Sequence, residues 1–316
     1  MEPDITPVPA LAPPDVPTAD DIARYLDLMA ATPEVFAALL AARDDFDAAP
    51  DDLRAAIRAI ASAVRAGLGV IGAEAPVGVP QEPDARPAQL YGDVLALLAC
   101  IPSLVEYHAA RGVPEHVTWD TLADLPRYVT RHEELRGRPG FDELRWLSNH
   151  LRGLLYAVGR LQFERVRSIL LPDAQVGVTE VVGELADDEI LLNVHIPATG
   201  SLDSDECEAA YAAALEQFAL WHPEERPKAF VCLSWLMDPQ LREYLPVHSN
   251  IIRFQDRYRI VGTGMAASWS MQEFVFRVSG QVDPETLPQR TTLERAFTQH
   301  LRSGREWNVR TGCFPV

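Results

Sequence analysis

Two segments of the chain place side chains that can move protons next to turns that expose them. The first begins with the apolar run of residues 189–196, which predicts a strand with His195 at its carboxyl end. A neutral imidazole can accept a proton at neutral pH, so His195 is the first candidate for a general base. The competing interpretation is a structural histidine beside a turn.

The residues that follow His195 form a Gly-containing turn before a helix. Residues 197–201 are Pro-Ala-Thr-Gly-Ser, and an amphipathic helix is predicted over 205–221. Ligands of α/β proteins bind at the carboxyl ends of strands, and helix N-termini offer free N–H groups to phosphate or carbonyl oxygens. Four acidic residues between positions 203 and 208 would repel a pyrophosphate placed directly on this helix. We therefore expect any phosphate on backbone amides earlier in the loop or on arginines near the C-terminus.

The second segment, residues 230–236, predicts another strand and carries Cys232, Ser234 and Trp235 at or near its end. Cys232 with His195 would make the nucleophile of a cysteine thioesterase, although a free cysteine in a strand is more often a small buried hydrophobe. Groups further along the chain can donate protons or hydrogen bonds beside the same cleft, or serve only in turns. They are Tyr244, His248, Ser249 and Asn250.

Composition excludes several classes of protein. The chain has 316 residues, enough for two ordinary domains, and its 47% hydrophobic and 23% charged residues are typical of a folded globular protein. A net charge of -18 opposes contact with a nucleic-acid backbone, so no nucleic-acid partner is expected. Residues 250–316 carry nine arginines against six acidic residues and can attract a small anion locally.

The sequence also predicts a location and a redox state. No window offers about twenty uninterrupted apolar residues, and the best one, residues 95–105, contains Pro102. The N-terminus lacks the basic start and apolar stretch of a secretory signal. We therefore expect a cytoplasmic protein with no membrane span. The four cysteines lie far apart without a C-x-x-C pair, which predicts reduced thiols and no metal site.

The periodicity of apolar residues divides the chain into three parts. Six prolines without apolar periodicity predict a flexible Pro-rich arm over residues 1–17. Residues 18–140 show only helical periodicity and predict an all-helical N-terminal domain. Residues 141–316 mix helix and strand patterns and predict a mixed α/β domain, so the predicted fold class is α+β.

Within the C-terminal domain, the patterns predict helices over about 143–160, 205–221 and 293–301, and a short helix over 238–245. Strands are predicted over six segments rich in β-branched and aromatic residues. They are residues 166–171, 178–182, 189–196, 229–235, 251–261 and 274–278.

Four segments, taken in order, resemble a bacterial family of two-domain GNAT-like acyltransferases. They are residues 151–165, 194–197, 234–239 and 249–255. The resemblance covers nearly the whole chain after the Pro-rich arm. It implies a helical N-acyltransferase N-terminal domain followed by a GNAT-like acyltransferase domain.

The resemblance also implies where an acyl donor binds. In this fold a fourth strand leads through a donor loop into a helix, and a fifth strand splays away to leave room for pantetheine. By their order in the chain, residues 189–196 resemble the fourth strand, residues 195–202 the donor loop and residues 229–235 the fifth strand. The loop departs from the family motif R/Q-x-x-G-x-G/A, and Pro197 removes one amide N–H. The departure disfavours acetyl-CoA as the donor and leaves a longer acyl-CoA or a phosphopantetheinyl acyl carrier. No metal cofactor is expected.

The reaction that the resemblance implies is direct attack of an amine on a thioester, with backbone N–H groups stabilising the oxyanion. His195 is expected to act as base or to orient the acceptor, and Ser234 or Tyr244 to protonate the leaving thiolate. The expected donor-binding residues are Ile196, Ala198, Thr199, Gly200, Ser201, Trp235 and Asn250. The expected partners are a small-molecule or peptide amine acceptor and, for a carrier-bound donor, an acyl carrier protein.

Two other functions stay open at this point. A non-catalytic module would bind an acyl thioester or a carrier protein in the same cleft without turnover. A cysteine-dependent thioesterase would use Cys232 and would be inactivated by thiol alkylation.

One literal motif lies apart from these segments. Arg259-Ile-Val-Gly-Thr-Gly264 fits R-x-x-G-x-G, the pyrophosphate loop of Gcn5-related N-acetyltransferases. That loop should join a central strand to a helix, whereas this segment runs from the predicted strand 251–261 toward the predicted strand 274–278. We interpret the match as accidental.

Overall fold

The computed structural model describes residues 14–82, 84–280 and 282–316, with the side chains of residues 172–176 left out. Helices make up the N-terminal part, and the C-terminal part is built on a six-stranded sheet. The predicted α+β class, with a helical domain followed by a mixed α/β domain, is confirmed.

The N-terminal domain packs its helices around one apolar cluster that runs from Val16 to Leu151. The first helix begins after Thr18, whose side chain accepts a hydrogen bond from the backbone N–H of Asp21. The helices are α1 Ala19–Leu28, α2 Pro33–Asp47, α3 Asp51–Ala66, α4 Pro87–Leu90, α5 Gly92–Leu98, α6 Ile101–Ala110, α7 Glu115–Leu122, α8 Asp124–Arg136 and α9 Leu144–Leu151. Helices α7 and α9 contact the first strand of the next domain, so this cluster positions them against the sheet.

The segment Gly92–Ala110, which contains α5 and α6, is long and apolar enough to cross a membrane by length and composition alone. In the structure, 61% of its most apolar window is buried inside the protein. Val94, Leu97 and Ile101 are completely buried in the helical core. The segment thus packs as a core helix does.

The second domain contains a sheet in the order β1-β2-β3-β4-β6-β5. Its strands are β1 Leu155–Val158, β2 Leu161–Arg167, β3 Ile190–His195, β4 Ala229–Ser234, β5 Arg259–Ala266 and β6 Asn308–Pro315. Neighbours are antiparallel except β3 and β4, which are in register only at Leu192 with Phe230 and Asn193 with Val231. Beyond these pairs the two strands separate, and we call this opening the fork. The predicted strands at 189–196 and 229–235 are confirmed.

Helices cover both faces of the sheet. On one face lies α11, Ser204–Trp221, whose Tyr211 ring contacts Phe163 of β2 and Phe230 of β4. On the other face α10, Pro172–Val182, buries Val178 completely in an apolar cluster with residues of the strands. A short helix, α12 Asn250–Asp256, precedes β5. The sheet is thus held between two helical layers.

The hairpin of β5 and β6 is interrupted by residues 267–307. This insertion contains α13 Ser268–Phe276 and α14 Thr292–Arg302. Its apolar cluster includes Phe297 and Trp307, which are both fully buried. At its surface, Glu273 of α13 forms an ion pair with Arg131 of α8. The insertion therefore reaches across to the helical domain.

The predicted helix over 143–160 is wrong beyond Leu151, because a β-hairpin follows. Strands β1 and β2 pair from Val158 with Leu161, so Gly159-Arg160 is a two-residue turn. Gly153 and Gly159 have φ angles of 62° and 60°, a region that favours glycine and ends the helical conformation. A Cβ atom at Gly153 would lie 2.7 Å from the Tyr107 ring of α6, so the turn also packs closely on the helical domain.

Three predicted strands are wholly or partly helical. Residues 178–182 belong to α10, residues 251–256 to α12 and residues 274–276 to α13. Helix α12 is capped by Ser249, whose hydroxyl accepts a hydrogen bond from the backbone N–H of Ile252. Valine and aromatic residues favour strands on average, but burial of one helical face against the sheet or the insertion overrides that preference.

Other boundaries also differ from the prediction. Strand β2 covers Leu161–Arg167 instead of 166–171, and the short helix over 238–245 is a 3₁₀ turn, Pro239–Glu243. Strand β6 was not predicted, because Gly312 and Pro315 interrupt its apolar pattern, yet it pairs with both β4 and β5. The predicted helices over 205–221 and 293–301 are confirmed as α11 and α14.

The R-x-x-G-x-G motif at 259–264 lies in β5 and leads to α13, so the expectation that a strand follows it is wrong. Strand β5 is nevertheless at the edge of the sheet, with β6 and β4 between it and β3. The motif is therefore separated from the fork by two strands.

Both ends of the helical domain bear on the predicted boundaries. Residues 1–13, most of the predicted arm, lie outside the described residues. Val16 is buried, and the carbonyl of Pro17 accepts a hydrogen bond from Arg43 Nε at 2.6 Å, so the last part of that arm packs on the domain. The predicted limit at residue 140 falls before α9, whose apolar residues belong to the helical cluster.

Candidate active site

A cleft of about 1220 Å³ lies between the helical domain and the fork. The helical domain, the sheet with its loops, and the insertion each line part of it. The helical domain contributes Leu28, Met29, Trp119, Asp124, Tyr128 and Trp146. The sheet and its loops contribute His195, Ile196, Ala198, Gly200, Ser201, Ser234, Trp235 and Asn250. The insertion and the strand before it contribute Met265, Trp269, Phe274 and Leu293. Six of the seven predicted donor-binding residues line this cleft, and Thr199 is not among the lining residues.

His195 is paired with a buried carboxylate at the fork. Its Nε2 atom lies 2.8 Å from Oε2 of Glu164, and the two side chains are 24% and 12% exposed. Strand pairing places Glu164 opposite Asn193, two residues before His195 and therefore on the same face of the sheet. A carboxylate bound to one nitrogen orients the ring and stabilises the imidazolium that forms when the other nitrogen takes a proton. The pair can therefore act as a general base.

The carboxylate of Glu164 is held in its charged form. Asn149 Nδ2 donates to Oε1 at 2.8 Å, and Asn193 Nδ2 donates to Oε2 at 3.1 Å. Burial raises the pKa of Glu164, but the hydrogen bonds and charge of His195 and the hydrogen bond of Asn193 outweigh it and leave the pKa below its usual value. The negative charge beside His195 is thus present at neutral pH.

A second histidine–carboxylate pair lies on the helical side of the cleft. His150 Nε2 is 3.1 Å from Oδ2 of Asp124, and Gln162 Nε2 of β2 donates to the same oxygen at 2.8 Å. Arg127 Nη1 donates to Oδ1 at 2.6 Å. Burial raises the pKa of Asp124, but the hydrogen bonds and charges around it hold the pKa below its usual value. This pair connects α8 and α9 to the sheet.

Trp146 lies between the two histidines. Its ring centroid is 4.6 Å from that of His195 and 5.1 Å from that of His150. Both contacts are edge-to-face in geometry, at interplanar angles of 61° and 83°. The indole therefore fixes the orientation of His195 from the helical side.

The donor loop, residues 195–202, offers backbone N–H groups to a ligand. Among the described residues, no hydrogen bond is made by the amides of Ala198, Thr199, Gly200 or Ser201. At the start of α11, Asp203 accepts hydrogen bonds from the N–H groups of Asp205 and Glu206. The side chain of Asp203 thus occupies the helix N-terminus, and the free amides are those earlier in the loop.

Ser234 and Cys232 differ in what they can do. Ser234 ends β4 at the cleft, and its hydroxyl oxygen accepts a hydrogen bond from the N–H of Leu236. That leaves its O–H free to donate toward the cleft. Cys232 is 1% exposed, and burial raises the pKa of its thiol to about 12. Because the thiolate is the nucleophile, this environment does not support the cysteine thioesterase.

Tyr244 and His248 are not brought to the cleft. The Tyr244 hydroxyl lies 3.1 Å from His300 Nδ1 and accepts a hydrogen bond from Arg305 at 2.5 Å, behind the cleft in the cluster of the insertion. His248 is exposed, and neither residue is among those that line the cleft. Of the three residues predicted to be catalytic, the structure therefore brings together His195 and Ser234.

Four residues of the site were not among the residues predicted from the sequence: Glu164, Trp146, Asp124 and His150. Trp146 lies in the helix predicted over 143–160. Glu164 lies between that helix and the strand predicted over 166–171, so no predicted strand paired it with the strand of His195. A strand over 161–167 that pairs antiparallel with 190–195 places Glu164 opposite Asn193. Gly153 and Gly159, which end the helix and form the hairpin turn, were the available signal for that strand.

One group of side chains in the described residues has the spacing of a metal site. The ligand atoms of His222, Glu224 and Glu225 lie within 4.8 Å of one another. Both ring nitrogens of His222 already have partners, Tyr156 at 2.9 Å and Arg111 at 3.0 Å, and Glu225 is paired with Arg165. These contacts make the group an ion-pair network.

The parallel pair that separates at its carboxyl ends, the loop with free amides and the histidine–carboxylate pair beside it are features of a GNAT-like acyltransferase site. Comparison with protein families agrees: residues 155–314 match the GNAT-like C-terminal domain, and residues 20–153 match the N-acyltransferase N-terminal domain. The chain belongs to this family of two-domain acyltransferases.

Solved structures of acyltransferases resemble the whole chain. One, in complex with decanoyl-CoA and teicoplanin, is 30% identical, with a TM-score of 0.82 over 96% of this chain and 90% of that one. Another, in complex with decanoyl-CoA, is 29% identical, with a TM-score of 0.83 over 98% and 91%. A mutant acyltransferase in complex with octanoyl-CoA is 29% identical, with a TM-score of 0.82 over 96% and 90%. No curated protein matches the chain.

Proposed function

We propose that the protein is an N-acyltransferase that moves an acyl group from acyl-CoA to an amine of a small-molecule acceptor by direct attack. The observation that carries the proposal is the position of the His195–Glu164 pair, which lies where the fork opens into the cleft. A base at this point can reach an amine that attacks a thioester inserted between β3 and β4.

The donor end of the cleft suits acyl-CoA. The separation of β3 from β4 after Asn193 leaves the peptide groups on that side of β3 without strand partners, so they can bind pantetheine or an oxyanion. The free amides of the donor loop supply N–H groups for phosphate oxygens. Both features are formed by backbone groups of this chain and require no metal.

The cleft also favours a medium or long acyl chain over acetyl. Apolar side chains that line it remain exposed to solvent, including Trp269 at 58%, Met265 at 62% and Leu233 at 56%. Covering them with an acyl chain would remove apolar surface from water, at about 25 cal/mol per Å². The related structures that hold octanoyl-CoA and decanoyl-CoA support the same range of chain lengths.

The acceptor is expected to be a bulky small molecule with an amino group. The cleft of about 1220 Å³ is larger than a typical small-molecule pocket, and carboxylates such as Asp120 and Glu134 line its helical side. The related acyltransferase structure with teicoplanin bound supports an acceptor of that size class. A protein or nucleic-acid acceptor is not needed to explain the cleft.

The proposed step begins with His195 taking a proton from the acceptor ammonium, while Glu164 stabilises the imidazolium. The amine nitrogen then forms a bond to the thioester carbon, and the oxyanion is held by backbone N–H groups at the fork. Collapse of the adduct breaks the C–S bond. Ser234 is placed to give its hydroxyl proton to the leaving thiolate and to take up the second proton of the nitrogen, so that the hydroxyl is restored. His195 then releases the first proton to solvent.

The test begins with native mass spectrometry against acyl-CoAs from acetyl to palmitoyl, with free CoA as the control. We expect retention of octanoyl- or decanoyl-CoA over acetyl-CoA. The retained donor is then incubated with amine-bearing acceptors, including aminosugars and glycopeptides, and amide product and free thiol are measured together. Donor binding with no thiol release from any acceptor would favour the binding module, and retention of an acylated carrier protein alone would replace CoA as the donor. If neither donor bound, the proposal would be wrong.

A further inference from the structure

We propose that Arg160 is a positioning residue that shapes the donor loop for the phosphates of CoA. The proposal deepens the proposed function and rests on it, because it assumes an acyl-CoA donor. Arg160 lies outside the donor loop, in the two-residue turn between β1 and β2.

The guanidinium of Arg160 binds three carbonyl groups of the donor loop. Nε donates to the carbonyl of Ser201 at 2.6 Å, Nη2 to that of Gly200 at 2.8 Å, and Nη1 to that of Pro197 at 3.2 Å. The three donors of a lysine ammonium diverge from a single nitrogen, so a lysine cannot reach carbonyl groups spread over residues 197–201 as the three nitrogens of the planar guanidinium do. Arg160 therefore fixes both ends of the segment 197–201.

The contacts with Arg160 leave the carbonyl groups and the amide groups of the loop in different states. Carbonyls of Pro197, Gly200 and Ser201 point to Arg160, while the amides of residues 198–201 have no acceptor within the described chain. Successive unpaired amides make a concave site for anions. Arg160 thus engages the acceptors of the loop, while the amides of the loop remain free to donate to a ligand.

The charge of Arg160 is not neutralised by a direct partner. No ion pair to it occurs among the described residues, and Asp203, the nearest acidic residue after the loop, accepts hydrogen bonds from its own helix. A positive charge that lies under a row of amides strengthens their attraction for phosphate. It also offsets the acidic first turn of α11, which the sequence analysis identified as unfavourable for pyrophosphate.

The β1–β2 turn explains why Arg160 reaches the loop. Gly159, with φ of 60°, occupies the first position of the two-residue turn and places Arg160 at the second. A Cβ atom at Gly159 would lie 3.4 Å from Ala210 of α11, so the turn is packed against the helix that follows the donor loop. The side chain of Arg160 therefore projects from a fixed backbone.

The arrangement answers a deficiency visible in the sequence. The donor loop has Pro197 where an amide would help to bind phosphate, and it has no arginine or glutamine at the start of the family motif. Arg160 compensates from a neighbouring hairpin by orienting the amides that remain.

The experiment compares R160A, R160K and wild type with two donors, decanoyl-CoA and decanoyl-pantetheine, which lacks all CoA phosphates. For R160A we expect the KM for decanoyl-CoA to rise about tenfold or more, since charge-assisted hydrogen bonds are lost. The kcat should stay within about threefold, and kinetics with decanoyl-pantetheine should be unchanged. R160K should remain close to R160A. The control is R167A, which removes an arginine that donates to the carbonyl of Asp188 at the far end of β2.

Each outcome decides the proposal. A donor-dependent effect with no rescue by lysine supports it, because general loss of structure would affect both donors and would appear in thermal unfolding. Equal effects on both donors, full rescue in R160K, or no effect in R160A would each overturn it. If wild type used neither donor, the proposed function would fail first, and that result is distinguishable because it does not depend on any variant.

Discussion

The two histidine–carboxylate pairs of the cleft have similar hydrogen bonds but different access to a ligand. His195 lies 2.8 Å from Glu164 and is 24% exposed, whereas His150 lies 3.1 Å from Asp124 and is 1% exposed. Asp124 is fully engaged, with Arg127 on one oxygen and both His150 and Gln162 on the other. His195 instead keeps one ring nitrogen, Nδ1, without a partner among the described residues.

This difference assigns the two pairs to different tasks. A base must exchange a proton with a substrate, so the exposed pair on the sheet can act in catalysis. The sealed pair on the helical side cannot, but it connects α8 and α9 to β2 and holds Trp146 against His195. In the proposed function the helical domain therefore contributes to the site mainly by positioning, while the sheet carries the groups proposed to react.

The largest effect is expected for His195→Ala. Loss of the base should lower kcat by about 10²–10⁴-fold, while donor binding changes little. Turnover is measured as thiol release, and binding by native mass spectrometry with decanoyl-CoA. A variant that kept wild-type turnover would refute the assignment of His195. His150→Ala is the contrasting variant and should lose stability more than it loses chemistry per folded molecule.

Asp124→Asn should separate stability from catalysis. It removes a buried charge from a network of three donors, at a cost of roughly 3 kcal/mol in the free energy of unfolding. The folded-state pKa of Asp124 lies below its ordinary value of 3.8, so its contribution is present above about pH 4 and is lost as the pH falls through the folded-state value. Denaturant unfolding of both proteins from pH 7 to pH 3 should therefore show a smaller pH dependence in the variant. An unchanged slope would argue that Asp124 is not ionised in the folded protein.

Ser234→Ala tests whether the sheet side also supplies an acid. If the hydroxyl donates to the leaving thiolate, kcat should fall about tenfold with a CoA donor. If it serves only to accept the hydrogen bond from Leu236 N–H, the loss should be about 1 kcal/mol of stability with kcat unchanged. A leaving group of lower pKa, such as an aryl thioester, should reduce the effect on kcat only in the first case.

Tyr244→Phe should have the smallest effect. Its hydroxyl bonds His300 and Arg305 away from the cleft, so we expect wild-type kcat and about 1 kcal/mol lower stability. Thermal unfolding and thiol release measure the two quantities. A large loss of kcat at unchanged stability would mean that sealed groups behind the cleft take part in proton transfer, and the comparison above would no longer hold.

Some elements of the fold could be predicted from the sequence and others could not, because some depend on local residue patterns and others on long-range packing. The strands that end at His195 and Ser234 were predicted because a buried central strand is apolar along its whole length. Residues 178–182 and 274–276 of the predicted strands are helical, because β-branched and aromatic content does not say which surface a segment will cover. Ser249 is a helix cap that the sequence offers for α12, but the apolar residues that follow it favoured the prediction of a strand over 251–261.

The candidate site was predicted in the same uneven manner. His195, Ser234 and the donor loop lie where strand–turn–helix patterns placed them, since those patterns are local. Tyr244 was grouped with them by proximity in sequence, yet its ring packs near Trp307 of the insertion, a contact across more than sixty residues. Glu164 lies between the helix predicted over 143–160 and the strand predicted over 166–171, so no predicted strand register brought it to His195.

The sequence by itself determined the two-part fold class, the central strands, the free amides expected in the loop and His195 as the first candidate for a base, because each depends on residue types within a short segment. Only the tertiary structure decided that Glu164 charges the site, that Asp124 and Trp146 approach from the helical domain, and that Arg160 holds the donor loop. These contacts depend on strand register and on packing between domains. Register and packing are set by burial over the whole molecule, which no local pattern contains.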